Sequence, residues 1–526
     1  MSLCELTVTD ESLPPPRDAL RTDTLAESVL ILLILTVVQR LVGFVRAVLF
    51  CRWLDAEQLG QWDLAFGFLV LAAPLIVLAV PGAFGRYVEH YRQQGQLRSF
   101  LRRTLAVCGG LGLASAAAVY LMRRWFAALI FGSDDHAEMV ALLAVSVLAV
   151  VAFNFFTELF TALRNVRLVS ALQLLNSVAF AVFGVALLLG WHNGAESVVL
   201  AYGGACLLSA SVALAYLGKS WRKLPEERVR PTHHELWSKL MPLAGWIWMT
   251  SLLINLFDMA DRYMIVHYSG PAVGDPLSVV GQYHSSRVVP LLLASVATML
   301  GAMITPHLAC DWEAGRRRRV SLRLNLFLKL LCFTLSCGAV LVLAAAPLLF
   351  GVAFRGKFDG GLSVLPWTLT YCLWFGMSMV ALNYLWCAEK AGWAAVGLVA
   401  GLAVDVLLNA MLLPTMGLEG VVWARCVASV VVLLTVLQVA RRFGFRTDRG
   451  TWIVLAIPAA IASGPVIATV LLVAVALAAA TSDWILSDDE RRLLAEGGTR
   501  YLARVTGRRR ERLEDISLSI RPAERE

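Results

Sequence analysis

Residues 28–51 read SVLILLILTVVQRLVGFVRAVLFC. A helix needs about 20 mostly apolar residues to cross the hydrocarbon of a bilayer, and this stretch has that length with two charges in it, Arg40 and Arg46. Eleven further stretches of the same kind follow, beginning with Leu64–Ala83 and ending with Leu418–Val439. Over the 526 residues, 58% are hydrophobic and 16% charged, whereas soluble domains run near 45–50% and 25%. A polytopic membrane protein is the class that fits. A secreted disulfide scaffold, a disordered chain and a nucleic-acid binder are excluded. The ten cysteines are scattered without a CxxC pair, mostly in apolar runs, and read as small core hydrophobes.

A last apolar block runs from Trp452 to Ala480, too long for one untilted span and short for two. Pro458, Gly464 and Pro465 can fold it into a hairpin. Residues 1–25 carry Pro14, Pro15 and Pro16 and lack a cleavable signal. Beyond Thr481 the chain is polar again, with Arg508, Arg509 and Arg510, and suggests no chemistry.

Lys and Arg concentrate in cytoplasmic loops. With a cytoplasmic N-terminus, the loops after even-numbered spans hold twenty-three of them, from Arg86 to Arg449, against five on the other side (Arg52, Arg123, Arg124, Arg355 and Lys357). This places both termini in the cytoplasm, makes the last block a hairpin and predicts about fourteen spans. The formal charge of +8 follows without any nucleic acid. Residues 86–103 mix those bases with Tyr87, Tyr91 and Phe100 and read either as an interfacial helix or as a basic loop.

An internal repeat divides the helices. Leu59-Gly60-Gln61-Trp62 opens the second span and Val280-Gly281-Gln282-Tyr283 opens the eighth, each after a helix carrying an Arg near its outer half, Arg46 or Arg262. Six helices separate the copies, so the halves insert in the same orientation and share an axis along the membrane normal, with a central site expected between them. The predicted fold is therefore an all-α integral membrane protein with two six-helix bundles related by a parallel repeat and a C-terminal helical hairpin. The division is a tail at 1–25, a first lobe at 26–218, a linker at 219–241, a second lobe at 242–440, a linker and hairpin at 441–480 and a tail at 481–526.

Polar residues within spans mark the working parts, because an arginine at a helix centre costs roughly 2.5–3.5 kcal/mol. Arg40 and Arg46 stand about 9 Å apart along their helix and about 120° around it, so both can line a broad cavity, with Gly43 between them. In the other reading Arg40 pairs with an internal acid, for which Asp258, Asp261 and Asp405 are available. Asp258 and Arg262 are four residues apart and share a face, which suits a local ion pair, while Asp261 points elsewhere. Asp405, with Asn409 one turn on, serves either as a protonatable or cation-binding group or as a structural partner. Arg287 precedes Pro290, where a kink would turn it inward. Lys329 is expected to snorkel. No nucleophile, nucleotide or metal motif occurs, no cofactor is implied, and the outward loops are short, so transport is favoured over catalysis.

Arg40-Leu41-Val42-Gly43-Phe44-Val45-Arg46, the Leu59–Trp62 turn, Arg86-Tyr87, Asp261-Arg262-Tyr263-Met264 and the run Asn409, Pro414, Gly417, Gly420 resemble the lipid-linked oligosaccharide flippases. These are the polysaccharide-exporter, or Wzx-type, branch of the multidrug/oligosaccharidyl-lipid/polysaccharide (MOP) superfamily, which also holds the peptidoglycan lipid II flippase and the multidrug extruders (MATE). The resemblance covers about Ser28 to Phe445. It implies a MATE-like fold and a cationic cavity formed by Arg40, Arg46 and Arg287. It also implies flipping of a polyprenyl-diphosphate-linked glycan to the outer leaflet of the cell's inner membrane. Membrane lipids are implied partners, and there is room for a proton or sodium ion as coupling partner and for a polysaccharide polymerase alongside. The second span lacks an arginine comparable to the lipid II flippase's, and Asp405 stands where many relatives have Asn. The alternative is a cation-coupled extruder of small molecules, which expects acids where this first helix has arginines; a third reading is a scaffold without transport.

Overall fold

The computed structural model describes residues 25–221, 233–270 and 274–495. Residues 1–24 of the N-terminal tail, 222–232 of the 219–241 linker and Arg508–Arg510 lie outside the described residues. The chain is helical along nearly its whole described length, since a backbone in hydrocarbon must satisfy its N–H and C=O groups within the segment.

The first bundle comprises α1 (Leu25–Trp53), α2 (Ala56–Ile76), α4 (Leu97–Leu121), α6 (Ala137–Ala162), α7 (Val166–Gly190) and α8 (Ala195–Trp221), with the short α3 (Phe84–Gln93) and α5 (Arg123–Phe131) between spans. The second holds α9 (His233–His267), α10 (Pro276–Glu313), α11 (Arg317–Leu348), α12 (Asp359–Cys387), α13 (Ala391–Met416) and α14 (Leu418–Arg442). Among the described residues, twelve helices are long and apolar enough to cross a membrane, six in each bundle. Large apolar side chains such as Leu113, Val145, Leu341 and Leu407 stand exposed on the outside, as a lipid-facing belt requires.

The last apolar block breaks at the expected residues into α15 (Arg449–Ala456), α16 (Pro458–Ile461) and α17 (Pro465–Thr481), with Gly464 at φ 105° in the turn. Its two arms, Arg449–Ile461 and Pro465–Thr481, measure about 20 and 25 Å at 1.5 Å per residue, shorter than the other spans. That the block returns to its starting level is fixed by one side chain. Lys329 on α11 is buried and binds Glu490 beyond α17, at 2.7 and 2.9 Å, together with Asp448, which caps the start of α15. The snorkelling expected of Lys329 does not occur: its ammonium turns inward because two carboxylates meet it there. Residues 488–495 form a further helical turn docked by this contact and by Arg318 with Asp489.

The bundles meet along α2 and α10. Gly60 and Gly281, one from each copy of the repeat, face the partner helix so closely that a Cβ at Gly60 would overlap the Leu277 carbonyl and one at Gly281 that of Ala56. This crossing lies at the end of the bundles opposite the basic loops. There Lys357 also binds Asp55 at 2.9 Å. At the basic face the bundles touch again, where the Tyr87 hydroxyl donates to the Lys239 carbonyl at 2.7 Å and the Trp248 indole to that of Leu75 at 3.3 Å. The space between them is thereby contracted at both ends.

Candidate functional site

Between the bundles lies a cavity of about 270 Å³. Gln39, Arg40, Gly43 and Arg46 line it from α1, Asn176, Ser177 and Phe180 from α7, Tyr202 from α8, and Val288, Leu291 and Leu292 from α10. The two arginines spaced six apart therefore face one space, as a broad cavity allows. Arg40 is exposed and carries no ion pair among the described residues. Arg46 lays its guanidinium over the Phe180 ring, 4.0 Å from the centroid, which holds the charge without neutralising it. Gln39, Asn176, Ser177 and Tyr202 add neutral polar groups to the lining.

One helical turn beyond the cavity, toward the end opposite the basic loops, stands an ion network. Asp63 is three residues before Phe66, itself a lining residue, and His284 is four before Val288, so both project from the cavity's faces of α2 and α10 and form its roof. His284 Nδ1 lies 2.8 Å from Asp63 Oδ1. Arg262 Nε approaches Asp63 Oδ2 at 3.1 Å without hydrogen-bond alignment, and Arg287 Nη1 stands 3.9 Å from it. Asp258, half exposed, receives Arg262 Nη2 at 2.8 Å and Arg287 Nη2 at 2.7 Å. The i, i+4 pairing of Asp258 with Arg262 is thus present, and it extends across helices. Asp63 is the first bundle's contribution; its partners all come from the second.

Behind the roof a second cluster ties α9, α13 and α14. Asp405 is fully buried and binds Arg425 Nη1 at 3.1 Å and Asn409 Nδ2 at 3.3 Å. Asp261 takes Asn409 Nδ2 at 3.2 Å, lies 3.6 Å from Arg425 Nε and accepts the Tyr283 hydroxyl at 2.7 Å. Arg425 also stacks on Phe257, 3.7 Å from the ring centroid.

Arg40 and Arg46 share the cavity, and Asp405 pairs with Arg425 instead of Arg40. Arg287 does not join them: it is buried and clamped by Asp258, because α9 brings a carboxylate to the place where α10 turns this guanidinium inward. Three residues of the network, Asp63, His284 and Arg425, were not singled out from the sequence. Arg425 lies within a span and carried the same signal as Arg40, its insertion cost. Asp63 sits at the very edge of an apolar run, where a carboxylate reads as a loop residue.

Solved structures share this architecture. Lipid II flippase MurJ in its inward closed conformation superimposes with a TM-score of 0.64 at 13% identity, covering 85% of this chain and 97% of that one. An inward-facing multidrug resistance MATE family transporter of the MOP superfamily does so with a TM-score of 0.59 at 14% identity, covering 79% of this chain and 98% of that one. Two repeat-related six-helix bundles around an inter-bundle cavity are the fold this chain shares with those two proteins. The sequence matches the family model described as polysaccharide biosynthesis protein over residues 25–309, more than half of the chain, and the chain belongs to that family. Among curated relatives, lipid II flippase MurJ of Bacillus subtilis (strain 168) is 19% identical over 435 residues, 76% of this chain and 79% of the relative.

Proposed function

We propose that the protein flips a polyprenyl-diphosphate-linked saccharide, a polysaccharide precursor, from the cytoplasmic to the outer leaflet of the inner membrane, with its basic face and both termini in the cytoplasm. The observation that carries this reading is the pair Arg40 and Arg46, facing one inter-bundle cavity with no carboxylate among the described residues bound to either. A lipid-linked diphosphate is anionic at its linkage and apolar in its tail. The tail can remain in the bilayer while the linkage needs a polar route. Two guanidinium groups supply charge-assisted, bidentate hydrogen bonds to phosphate, and the neutral polar lining suits sugar hydroxyls. At about 30 Å³ per water, about 270 Å³ accommodates a diphosphate but not a long glycan, so the bundles must part to load it.

Rocking about the α2–α10 crossing would then expose the cavity alternately to the two faces. Expulsion of a small cation is less well served, because Asp63, Asp258, Asp261 and Asp405 each already hold a basic side chain. Proteoliposomes carrying a fluorescent undecaprenyl-diphosphate disaccharide test the proposal. Wild-type protein is expected to make the inner-leaflet probe accessible from outside, and Arg40→Ala is expected to insert normally without doing so. Flipping by that variant at the wild-type rate would assign Arg40 a structural role.

A further inference from the structure

At the basic face the turn from α3 to α4 and the turn from α10 to α11 are built alike. Gly95 at φ 69° and Gly315 at φ 72° reverse the chain. The Gly95 amide donates to the Arg92 carbonyl at 3.1 Å and that of Gly315 to Trp312 at 2.9 Å; the next amides, of Gln96 and Arg316, donate to Tyr91 at 2.8 Å and Asp311 at 2.9 Å. The two copies therefore correspond residue for residue. Gln96, Leu97 and Ser99 of the first match Arg316, Arg317 and Arg319 of the second. The turn forms in the first bundle without a base at any of these places, so the fold does not require them. Their position is also unfavourable, because the first turn of a helix repels cations. We propose that Arg316–Arg319, with Arg492 from the 488–495 turn, hold the phosphate of an anionic phospholipid in the leaflet at the basic face, and that this lipid staples the 488–495 turn to α11.

These arginines line a groove of about 540 Å³, floored by Leu322 of α11 and Leu493 of the terminal turn. Their charges are only partly met. Arg316 lies 3.1 Å from Asp311, which also serves Arg323, and Arg318 lies 2.9 Å from Asp489, the groove's one acid. Arg317 rests over the Trp312 ring, 4.9 Å from its centroid. Neither Arg317, Arg319 nor Arg492 holds a carboxylate among the described residues. The Lys329–Glu490 and Arg318–Asp489 contacts thus bring together guanidinium groups from two separate segments, where they repel one another. An anion between them turns that repulsion into a bridge.

The setting identifies the anion as a lipid. Trp484, 76% exposed, and Leu494, 37% exposed, stand on the same terminal segment as Arg492. An exposed tryptophan beside apolar spans marks the level where headgroups meet hydrocarbon. Guanidinium forks accept phosphate oxygens bidentately, and clustered bases next to a span draw anionic lipid. A zwitterionic lipid carries its own cation into the groove and is disfavoured there. A lipid with net negative charge leaves its chains in the bilayer beside Leu322 and Leu493 while its phosphate spans Arg317, Arg319 and Arg492.

The test needs no transport. Full-length protein in detergent receives equal amounts of phosphatidylglycerol and phosphatidylcholine, and native mass spectrometry counts what stays bound. Wild type is expected to retain phosphatidylglycerol at least about tenfold more, and the triple variant Arg317→Gln, Arg319→Gln, Arg492→Gln to lose that retention about tenfold or more. Arg317→Lys, Arg319→Lys, Arg492→Lys keeps the charge without the fork and should fall between. Arg86→Gln, Arg102→Gln, Arg164→Gln removes as many exposed charges from the first bundle's basic face and should change retention less than about twofold. No preference in wild type, wild-type retention in the glutamine triple, or an equal loss in the first-bundle control overturns the inference. Calorimetry with short-chain dihexanoyl phosphatidylglycerol and with glycerol 1-phosphate separates lipid from soluble anion: the lipid should bind at least about tenfold tighter, and equal affinity would assign the groove to a soluble anion. Bound phosphatidylglycerol should also slow chymotryptic cutting within 488–495 at least about threefold in wild type and not in the glutamine triple; unchanged cutting in wild type overturns the staple.

Discussion

Gly60 on α2 and Gly281 on α10 back onto each other's helix at the end of the molecule away from the basic loops, where the carbonyls of Leu277 and Ala56 fill the space that a Cβ on each would need. Both are second in their repeat's turn, Leu59-Gly60-Gln61-Trp62 and Val280-Gly281-Gln282-Tyr283. The pseudo-axis of the repeat runs between them, so duplication has placed two glycines where the bundles must approach most closely. The closed arrangement depends on that approach; the fold of either bundle alone does not.

A side chain at this crossing should therefore act on the conformational equilibrium more than on folding. Gly281→Val is expected to disfavour outer closure by about 2 kcal/mol or more, roughly 30-fold, in line with the cost of overpacking a close contact. The check is the distance between spin labels at Asp135→Cys and Asp359→Cys, exposed on the outer ends of the two bundles, with melting temperature as control. A variant that closes normally would show that the helices can slide to make room.

Loss of one cavity arginine should weaken anion binding while leaving the fold intact. Arg46→Ala removes a charge-assisted bond worth about 1.5–3 kcal/mol, so affinity for a diphosphate headgroup should fall about 10- to 150-fold. Arg46→Lys keeps the charge but loses the planar stacking on Phe180 and the bidentate fork, and should fall between the two. Titration calorimetry with farnesyl diphosphate in detergent measures this directly. Equal affinity for all three proteins would place the headgroup elsewhere.

The buried cluster behind the roof should behave in the opposite way. Arg425→Ala leaves Asp261 and Asp405 without their shared cation and is expected to destabilise the protein by about 3–5 kcal/mol. The double variant Asp405→Asn with Arg425→Gln should recover much of that loss. Thermal unfolding in detergent decides the matter, and an Arg425→Ala protein as stable as wild type would show that water or another cation compensates.

Much of the architecture was legible, and the reason is physical: hydrocarbon imposes length and apolarity on every span, and duplication leaves matching turns. Arg40 and Arg46 stood out because a charge inside a span demands an explanation, and Asp258 with Arg262 because helical periodicity fixes which residues share a face. Periodicity does not say which helix lies opposite. Arg287 looked like a cavity cation until α9 supplied Asp258, and Asp405 was weighed against Arg40 when its partner sits on α14. The Asp63–His284 contact joins residues more than two hundred positions apart, and no local pattern announces it.

The tail offers a further check. Glu490→Ala removes one of the carboxylates that hold the buried Lys329 ammonium and should detach residues 483–495 from α11 and α15. Limited proteolysis from the basic face is expected to cut this segment at least about tenfold faster than in wild type, by analogy with other broken buried pairs. Unchanged cleavage would mean that Asp448 and the Ile485 carbonyl suffice.

The central claim is that Arg40 and Arg46 carry a lipid-linked diphosphate between leaflets. Its most direct test is the initial rate at which proteoliposomes flip a fluorescent undecaprenyl-diphosphate disaccharide, with wild type beside the Arg40→Ala, Arg46→Ala double variant at matched, correctly folded protein density. The expected result is rapid flipping by wild type and a rate for the variant indistinguishable from protein-free vesicles. Equal rates for the two proteins, or no flipping by either, would contradict it.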